Sequence, residues 1–143
     1  MTPQRYDIVG LTDRASESCE GIHASVARVT QLVDQEAERG IRYNRIAWAG
    51  FSQGGAMSIF GGLQLPVEKK PAGILVLSGY LPGASQFKLT PGLEDVRVLH
   101  CHGTADPVVQ HAWAERTKAG LLAQVRRIHS TKSTAVIWLL LIM

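Results

Sequence analysis

Short apolar segments alternate with longer amphipathic ones along this chain, and that alternation limits the possible folds more than any other feature. Four runs have the length and aliphatic content of buried strands, namely residues 45–49, 73–77, 96–100 and 125–128. Three stretches repeat apolar side chains every three or four residues, as helices do, namely residues 16–39, 53–63 and 109–123. Strands that alternate with helices form parallel sheets through right-handed crossovers. We therefore predict an α/β fold, a mainly parallel sheet with helices on both faces.

Length and charge exclude several classes of protein. A chain of 143 residues predicts a single domain, residues 1–143. Fifteen Lys and Arg against twelve Asp and Glu give a net charge of +3 without a long basic run, so no nucleic-acid partner is expected. Two cysteines, and a start without a charged segment followed by an apolar one, predict a cytoplasmic location.

The turn after the first predicted strand carries the clearest chemical motif. It reads GFSQG at residues 50–54, with Ser52 between two glycines. In this pattern a serine occupies a sharp strand-to-helix corner, where its hydroxyl is exposed as a nucleophile. An apolar strand before the serine and small helical residues after it supply the context that the motif needs. The alternative is an ordinary glycine-rich turn.

A nucleophilic serine needs an acid and a base, which should follow it in the chain in that order. Asp106 follows the predicted strand at residues 96–100, at the same edge of the sheet as Ser52. The alternative for Asp106 is a cap on the helix that follows. His129 follows the fourth predicted strand and is a weak candidate for the base.

Five motifs, in order along the chain, extend beyond this constellation. They are YDI (6–8), NRI (44–46), GFSQGGA (50–56), LSGYLP (77–82) and CHGTADP (101–107). Together they resemble the acyl-protein thioesterases and their lysophospholipase and carboxylesterase relatives among the α/β hydrolases. The resemblance covers residues 6–122, and residues 123–143 form a divergent tail.

The resemblance implies that Ser52 is the nucleophile, that Asp106 is the triad acid and that the backbone N–H of Gln53 is one oxyanion donor. It implies hydrolysis of acyl thioesters on proteins or of esters in lysophospholipids, without a cofactor. The family's His-Gly-x-Gly-Asp loop, its second oxyanion donor, does not occur before Tyr6, and the family's own catalytic histidine is not recognisable in the tail. These departures predict a domain truncated at its N-terminus and aberrant at its C-terminus. A non-catalytic, acyl-binding remnant is the alternative.

The remaining histidine, cysteine, basic and apolar clusters indicate no further catalytic or metal site. His100, Cys101 and His102 are adjacent, but alternate strand residues point to opposite faces, so no metal site is expected. Arg126, Arg127 and Lys132 indicate a solvated face, or transient contact with anionic lipid. The apolar run at residues 135–143 is about half as long as a spanning helix, so no membrane insertion is expected.

Overall fold

The computed structural model describes residues 19–133, which include every predicted strand. Its α-helices are α1 (Ile22–Glu38), α2 (Gln53–Gly62) and α3 (His111–Leu122). Its strands are β1 (Ala47–Phe51), β2 (Gly73–Leu77), β3 (Val98–Gly103) and β4 (Ile128–Ser133). The YDI motif at residues 6–8 and the end of the tail, residues 134–143, lie outside this part of the chain. None of the described helices is long and apolar enough to cross a membrane.

The four strands form one sheet in the order β1-β2-β3-β4, and every neighbouring pair is parallel. The predicted parallel α/β sheet is confirmed. Because the strands share one direction, the turns after β1, β2 and β3 emerge at the same edge of the sheet, which we call the carboxyl edge.

All three described helices lie on the same side of the sheet. Val76 of β2 and His100 of β3 are buried on this side. Gly55 of α2 lies close enough to Val76 that a Cβ there would be 2.9 Å from its methyl group. On α3, the ring of His111 lies 5.8 Å from that of His102, which shares the face of His100. The helix α1 packs on α2, and a Cβ on Gly61 would be 2.9 Å from both Trp48 of β1 and Val26 of α1.

The prediction of helices on both faces is thus met on one face only within residues 19–133. On the opposite face Ala49, Leu99 and His129 are exposed, and Leu75 is half-buried. The aliphatic strands indicated burial on both faces, but their composition does not say which part of a chain covers each face.

The fourth strand begins later than predicted. Residues 125–127 are not in a strand, because the N–H of Val125 donates to the carbonyl of Leu121 and ends α3, while that of Arg126 donates to the carbonyl of Glu94. Pairing with β3 then starts at Ile128 and continues through Ser133. The predicted strand at 125–128 is therefore wrong except at Ile128, and His129 lies inside β4.

Candidate active site

Ser52 occupies a strained corner between β1 and α2. Its backbone has φ 53° and ψ −120°, a region that residues with a Cβ rarely adopt, at a cost of about 1–3 kcal/mol. The corner is held from both sides: the N–H of Ser52 donates to the carbonyl of Leu77 at 2.8 Å, and its carbonyl accepts from the N–H of Ala56 at 3.0 Å. The strain is localised at Ser52, the residue that the sequence predicts to be the nucleophile.

The glycine before the corner is required by the close approach of the backbone. A Cβ on Gly50 would overlap with the carbonyl carbon and oxygen of Gly54, in the first turn of α2. Strand and helix therefore meet without room for a side chain, which is the reason the motif begins with glycine.

Replacing Gly50 by alanine is expected to lower the free energy of unfolding by about 3 kcal/mol, because backbone atoms must move to admit the methyl group. Chemical denaturation measures the change. Gly120→Ala is the matched control, since a Cβ on Gly120 in α3 meets nothing within 4 Å. That variant should gain about 0.5–1 kcal/mol from the higher helix propensity of alanine. Equal effects of the two substitutions would contradict the steric explanation.

Asp106 lies in the turn after β3, and its side chain is only 7% exposed. Its Oδ1 accepts hydrogen bonds from the N–H groups of Val108 and Val109, both at 2.9 Å. Its Oδ2 lies 3.8 Å from Nε2 of His102, beyond hydrogen-bond distance. Oδ1 is therefore the carboxylate oxygen that the N–H groups of Val108 and Val109 hold.

The structure places Ser52 and Asp106 at the carboxyl edge, after β1 and β3 respectively. Two strand spacings separate β1 from β3, about 10 Å. Gln53 is the first residue of α2, so its N–H is among those at the positive end of the helix dipole, beside the Ser52 corner.

Ser78 directly follows the last residue of β2, between these two turns, and is not among the predicted site residues. Ser78 has φ 52° and is 1% exposed, and its buried hydroxyl has no hydrogen-bond partner. Its N–H donates to the carbonyl of Cys101 at 2.8 Å, as that of Ser52 does to Leu77. The carboxyl edge thus carries two strained serines on neighbouring strands. The sequence signals for Ser78 are the LSGYLP motif and the position of the Ser-Gly pair directly after an aliphatic run.

His129 does not reach this edge. It is the second residue of β4 and pairs with Leu99, whereas Asp106 follows Gly103 at the other end of β3. The rise from Leu99 to Gly103 is about 13 Å at 3.3 Å per residue. His129 also lies on the sheet face opposite the helices. In this arrangement His129, the weak candidate for the base, lies too far from the carboxyl edge to act on Ser52.

His100 is buried in the middle of β3, under the helices. Burial lowers its pKa to about 4, although its hydrogen bond to the Gly79 carbonyl acts in the opposite direction. The imidazole is therefore neutral at pH 7, and Nε2 donates to that carbonyl at 3.0 Å. Within residues 19–133 no group of three or more His, Cys, Asp or Glu side chains is placed to hold a metal ion.

The buried His100 should make the fold sensitive to acid. Its pKa is lowered in the folded state, so its stabilising contribution is complete above the unfolded pKa of about 6.5 and is lost as the pH falls towards 4. The loss over that window is about 3 kcal/mol. Urea unfolding at pH 7.5 and pH 4.5 measures it. The His100→Gln variant keeps an N–H donor for Gly79 without the titration, so an equally steep pH dependence in that variant would contradict the assignment.

Comparison with known proteins shows which family shares this arrangement. Residues 1–136 match the family model described as phospholipase/carboxylesterase. Acyl-protein thioesterase 1 of Schizosaccharomyces pombe is 38% identical over 109 residues, which are 75% of this chain and 48% of that protein. Acyl-protein thioesterase 1 homolog 2 of Dictyostelium discoideum is 36% identical over 102 residues, 71% of this chain and 45% of that protein. The chain spans about half the length of these curated relatives.

Solved structures give the same fold. The crystal structure of Arabidopsis thaliana SOBER1 superposes with a TM-score of 0.75 at 24% identity, covering 90% of this chain and 62% of that one. Zea mays acyl-protein thioesterase 2 superposes with a TM-score of 0.70 at 23% identity, covering 94% of this chain and 65% of that one. At this level of identity the superpositions establish a shared architecture.

Proposed function

The chain belongs to the phospholipase/carboxylesterase family of α/β hydrolases, and from this we propose that it cleaves acyl esters or thioesters through an acyl-enzyme on Ser52. The observation that carries the proposal is the backbone of Ser52. A serine held at φ 53° at the end of β1, with a helix beginning at the next residue, has the geometry of a nucleophile corner. An ordinary glycine-rich turn would place glycine, not serine, at the strained position.

The proposed reaction has two halves. Oγ of Ser52 attacks the carbonyl carbon of the substrate while its proton passes to a general base, which Asp106 orients through Oδ2. Collapse of the tetrahedral intermediate breaks the C–S or C–O bond, and the base returns the proton to the leaving thiolate or alkoxide. Water then attacks the acyl-enzyme, which releases a carboxylic acid and restores the Ser52 hydroxyl.

The oxyanion of the tetrahedral intermediate would lie beside the start of α2. The N–H of Gln53 and the positive end of the α2 dipole supply positive potential where the negative charge develops. Each oxyanion donor of this kind contributes about 3–4 kcal/mol to transition-state stabilisation in serine hydrolases.

The proposed substrates are acylated proteins or lysophospholipid-type lipids. The support is that the similar proteins of S. pombe and D. discoideum are named acyl-protein thioesterases. A carboxylesterase for small esters uses the same site, and chain-length preference distinguishes the two. No cofactor takes part in the proposed reaction.

We propose a cytoplasmic enzyme that touches membrane surfaces only transiently. Cys19 and Cys101 form no disulfide within the described residues, which suits a reducing compartment. Arg126 and Arg127 are exposed between α3 and β4, and they offer positive charge to an anionic surface.

Turnover of palmitoyl thioesters and of short p-nitrophenyl esters by the purified chain tests the proposal. We expect hydrolysis of at least one class, and a higher kcat/KM for the palmitoyl thioester if acylated proteins are the substrates. A higher value for the short ester would make the chain a small-ester carboxylesterase. No hydrolysis of either class would refute the proposed function.

A non-catalytic acyl-binding protein is the second candidate, and the position of His129 at the amino end of β4 favours it. A fluorophosphonate probe separates the two candidates, because only an activated hydroxyl reacts with it. Rapid labelling at Ser52 supports the enzyme. Palmitate binding without labelling supports the acyl-binding protein.

A further inference from the structure

His102 is a buried histidine that the proposed reaction does not use. It lies on β3, is 2% exposed and faces the helices. Its Nε2 is 2.7 Å from the backbone carbonyl oxygen of Val109. A carbonyl oxygen can only accept, so Nε2 must carry the proton. In the neutral ring this leaves Nδ1 unprotonated, and Nδ1 is buried without a hydrogen-bond partner.

The carbonyl that accepts this bond belongs to the turn that carries Asp106. The N–H of Asp106 donates to the carbonyl of Gly103 at 3.3 Å, and Oδ1 of Asp106 accepts from the N–H groups of Val108 and Val109. The bond from His102 to Val109 connects the far end of this turn to the end of β3. Residues 103–109, which we call the acid loop, are therefore closed by the Asp106 carboxylate and by the His102 imidazole.

The Asp106 carboxylate and the His102 imidazole close the acid loop through separate hydrogen bonds. Asp106 uses Oδ1 for the loop, and its Oδ2 lies 3.8 Å from the Nε2 of His102, too far for a hydrogen bond. The proton on Nε2 is directed to Val109 instead. His102 therefore holds the acid loop without occupying the carboxylate oxygen that a catalytic base would need.

We propose that His102 is a positioning residue for Asp106: its Nε2–H bond to the Val109 carbonyl fixes the acid loop so that Oδ1 is occupied and Oδ2 stays available. The inference rests on the proposed function, in which Asp106 orients the base. Phenylalanine or leucine would fill the same space but would leave the Val109 carbonyl unpaired, which explains the use of a polar ring at this buried position.

The chain offers a matched pair of substitutions. In His102→Gln the side-chain amide nitrogen takes the place of Nε2 and can still donate to Val109. In His102→Asn the amide lies nearer the backbone, in the place of Nδ1, and cannot reach that carbonyl. The two variants are similar in polarity and differ in where the donor lies.

Hydrogen exchange followed by NMR tests the loop directly. The reporter is the amide of Val109, which donates to Asp106, and the reference is the amide of Ile74, which donates to the Arg97 carbonyl in the sheet. We expect His102→Asn to speed exchange at Val109 about tenfold relative to Ile74, the effect of losing one hydrogen bond. In His102→Gln we expect the ratio of the Val109 exchange rate to the Ile74 exchange rate to lie within about twofold of its value in the unsubstituted chain. An unchanged ratio in His102→Asn, or no rescue by glutamine, would overturn the proposal.

Fluorophosphonate labelling of Ser52 then tests the consequence for the site. Slower labelling of His102→Asn, with recovery in His102→Gln, is the expected result. Faster exchange at Val109 with labelling unchanged would overturn the positioning role. If the unsubstituted chain is not labelled at all, the proposed function fails, and the exchange ratios still decide whether His102 holds the acid loop.

Discussion

Replacing Ser52 by alanine is expected to abolish ester and thioester hydrolysis, with a loss of about 10⁴-fold or more. The reason is chemical, because the methyl group removes the oxygen that becomes acylated and leaves the corner otherwise intact. Alanine tolerates φ 53° no better than serine, so the free energy of unfolding should change by less than about 0.5 kcal/mol. Steady-state hydrolysis and urea unfolding of the same preparation measure both quantities.

A glycine at the same position separates catalysis from strain. Ser52→Gly also lacks the nucleophile, but glycine adopts φ 53° freely, so the strain of about 1–3 kcal/mol is relieved. The more flexible unfolded chain offsets about 0.5–1 kcal/mol of that gain. We therefore expect Ser52→Gly to be inactive and more stable than Ser52→Ala. Activity close to that of the unsubstituted chain in either variant would exclude Ser52 as the nucleophile, and equal stability of the two variants would limit the strain at the corner to about 1 kcal/mol.

The strand-to-helix corner could be predicted from the sequence because its physical requirements are local. GFSQG places glycines where the backbone of Gly50 meets Gly54, and an apolar strand and a helix of small residues flank it. Nothing distant in the chain is needed to specify that turn. The same reasoning placed Asp106 at the carboxyl edge, because parallel strands end at a common edge.

The strand ends were less predictable because partners across the sheet set them. Residues 96 and 97 precede β3 instead of belonging to it, and the strand extends to Gly103 because β4 pairs with it that far. Polar residues of β4 such as His129 and Ser130 carry no strand signal of their own. The pairing partner, not the local composition, makes them extended.

Side-chain roles that depend on the direction of one hydrogen bond could not be predicted from the sequence either. His100 and His102 are two residues apart on β3, and the sequence does not distinguish their roles. The structure distinguishes them by their acceptors, the carbonyl of Gly79 for one and that of Val109 for the other. Both acceptors lie in loops whose paths the sequence does not specify.

Asp106 supports two interpretations, the triad acid and a simple turn cap, and one substitution distinguishes them. In Asp106→Asn the amide oxygen can still accept from the N–H groups of Val108 and Val109, so the acid loop should remain closed. The negative charge is lost, and the amide group that replaces Oδ2 donates a hydrogen bond where the carboxylate accepts one, so it cannot orient the general base as Asp106 does. We expect hydrolysis to fall about 10⁴-fold while the free energy of unfolding changes by less than about 1 kcal/mol.

Asp106→Ala provides the contrast, since it removes the acceptor as well as the charge. The N–H of the buried Val109 then has no partner, at a cost of about 1–3 kcal/mol, and activity should be lost with stability. If Asp106 only caps the turn, asparagine will retain the activity of the unsubstituted chain, because it caps as well as aspartate does. A large loss of kcat in the stable asparagine variant therefore identifies the carboxylate charge itself as part of the chemistry.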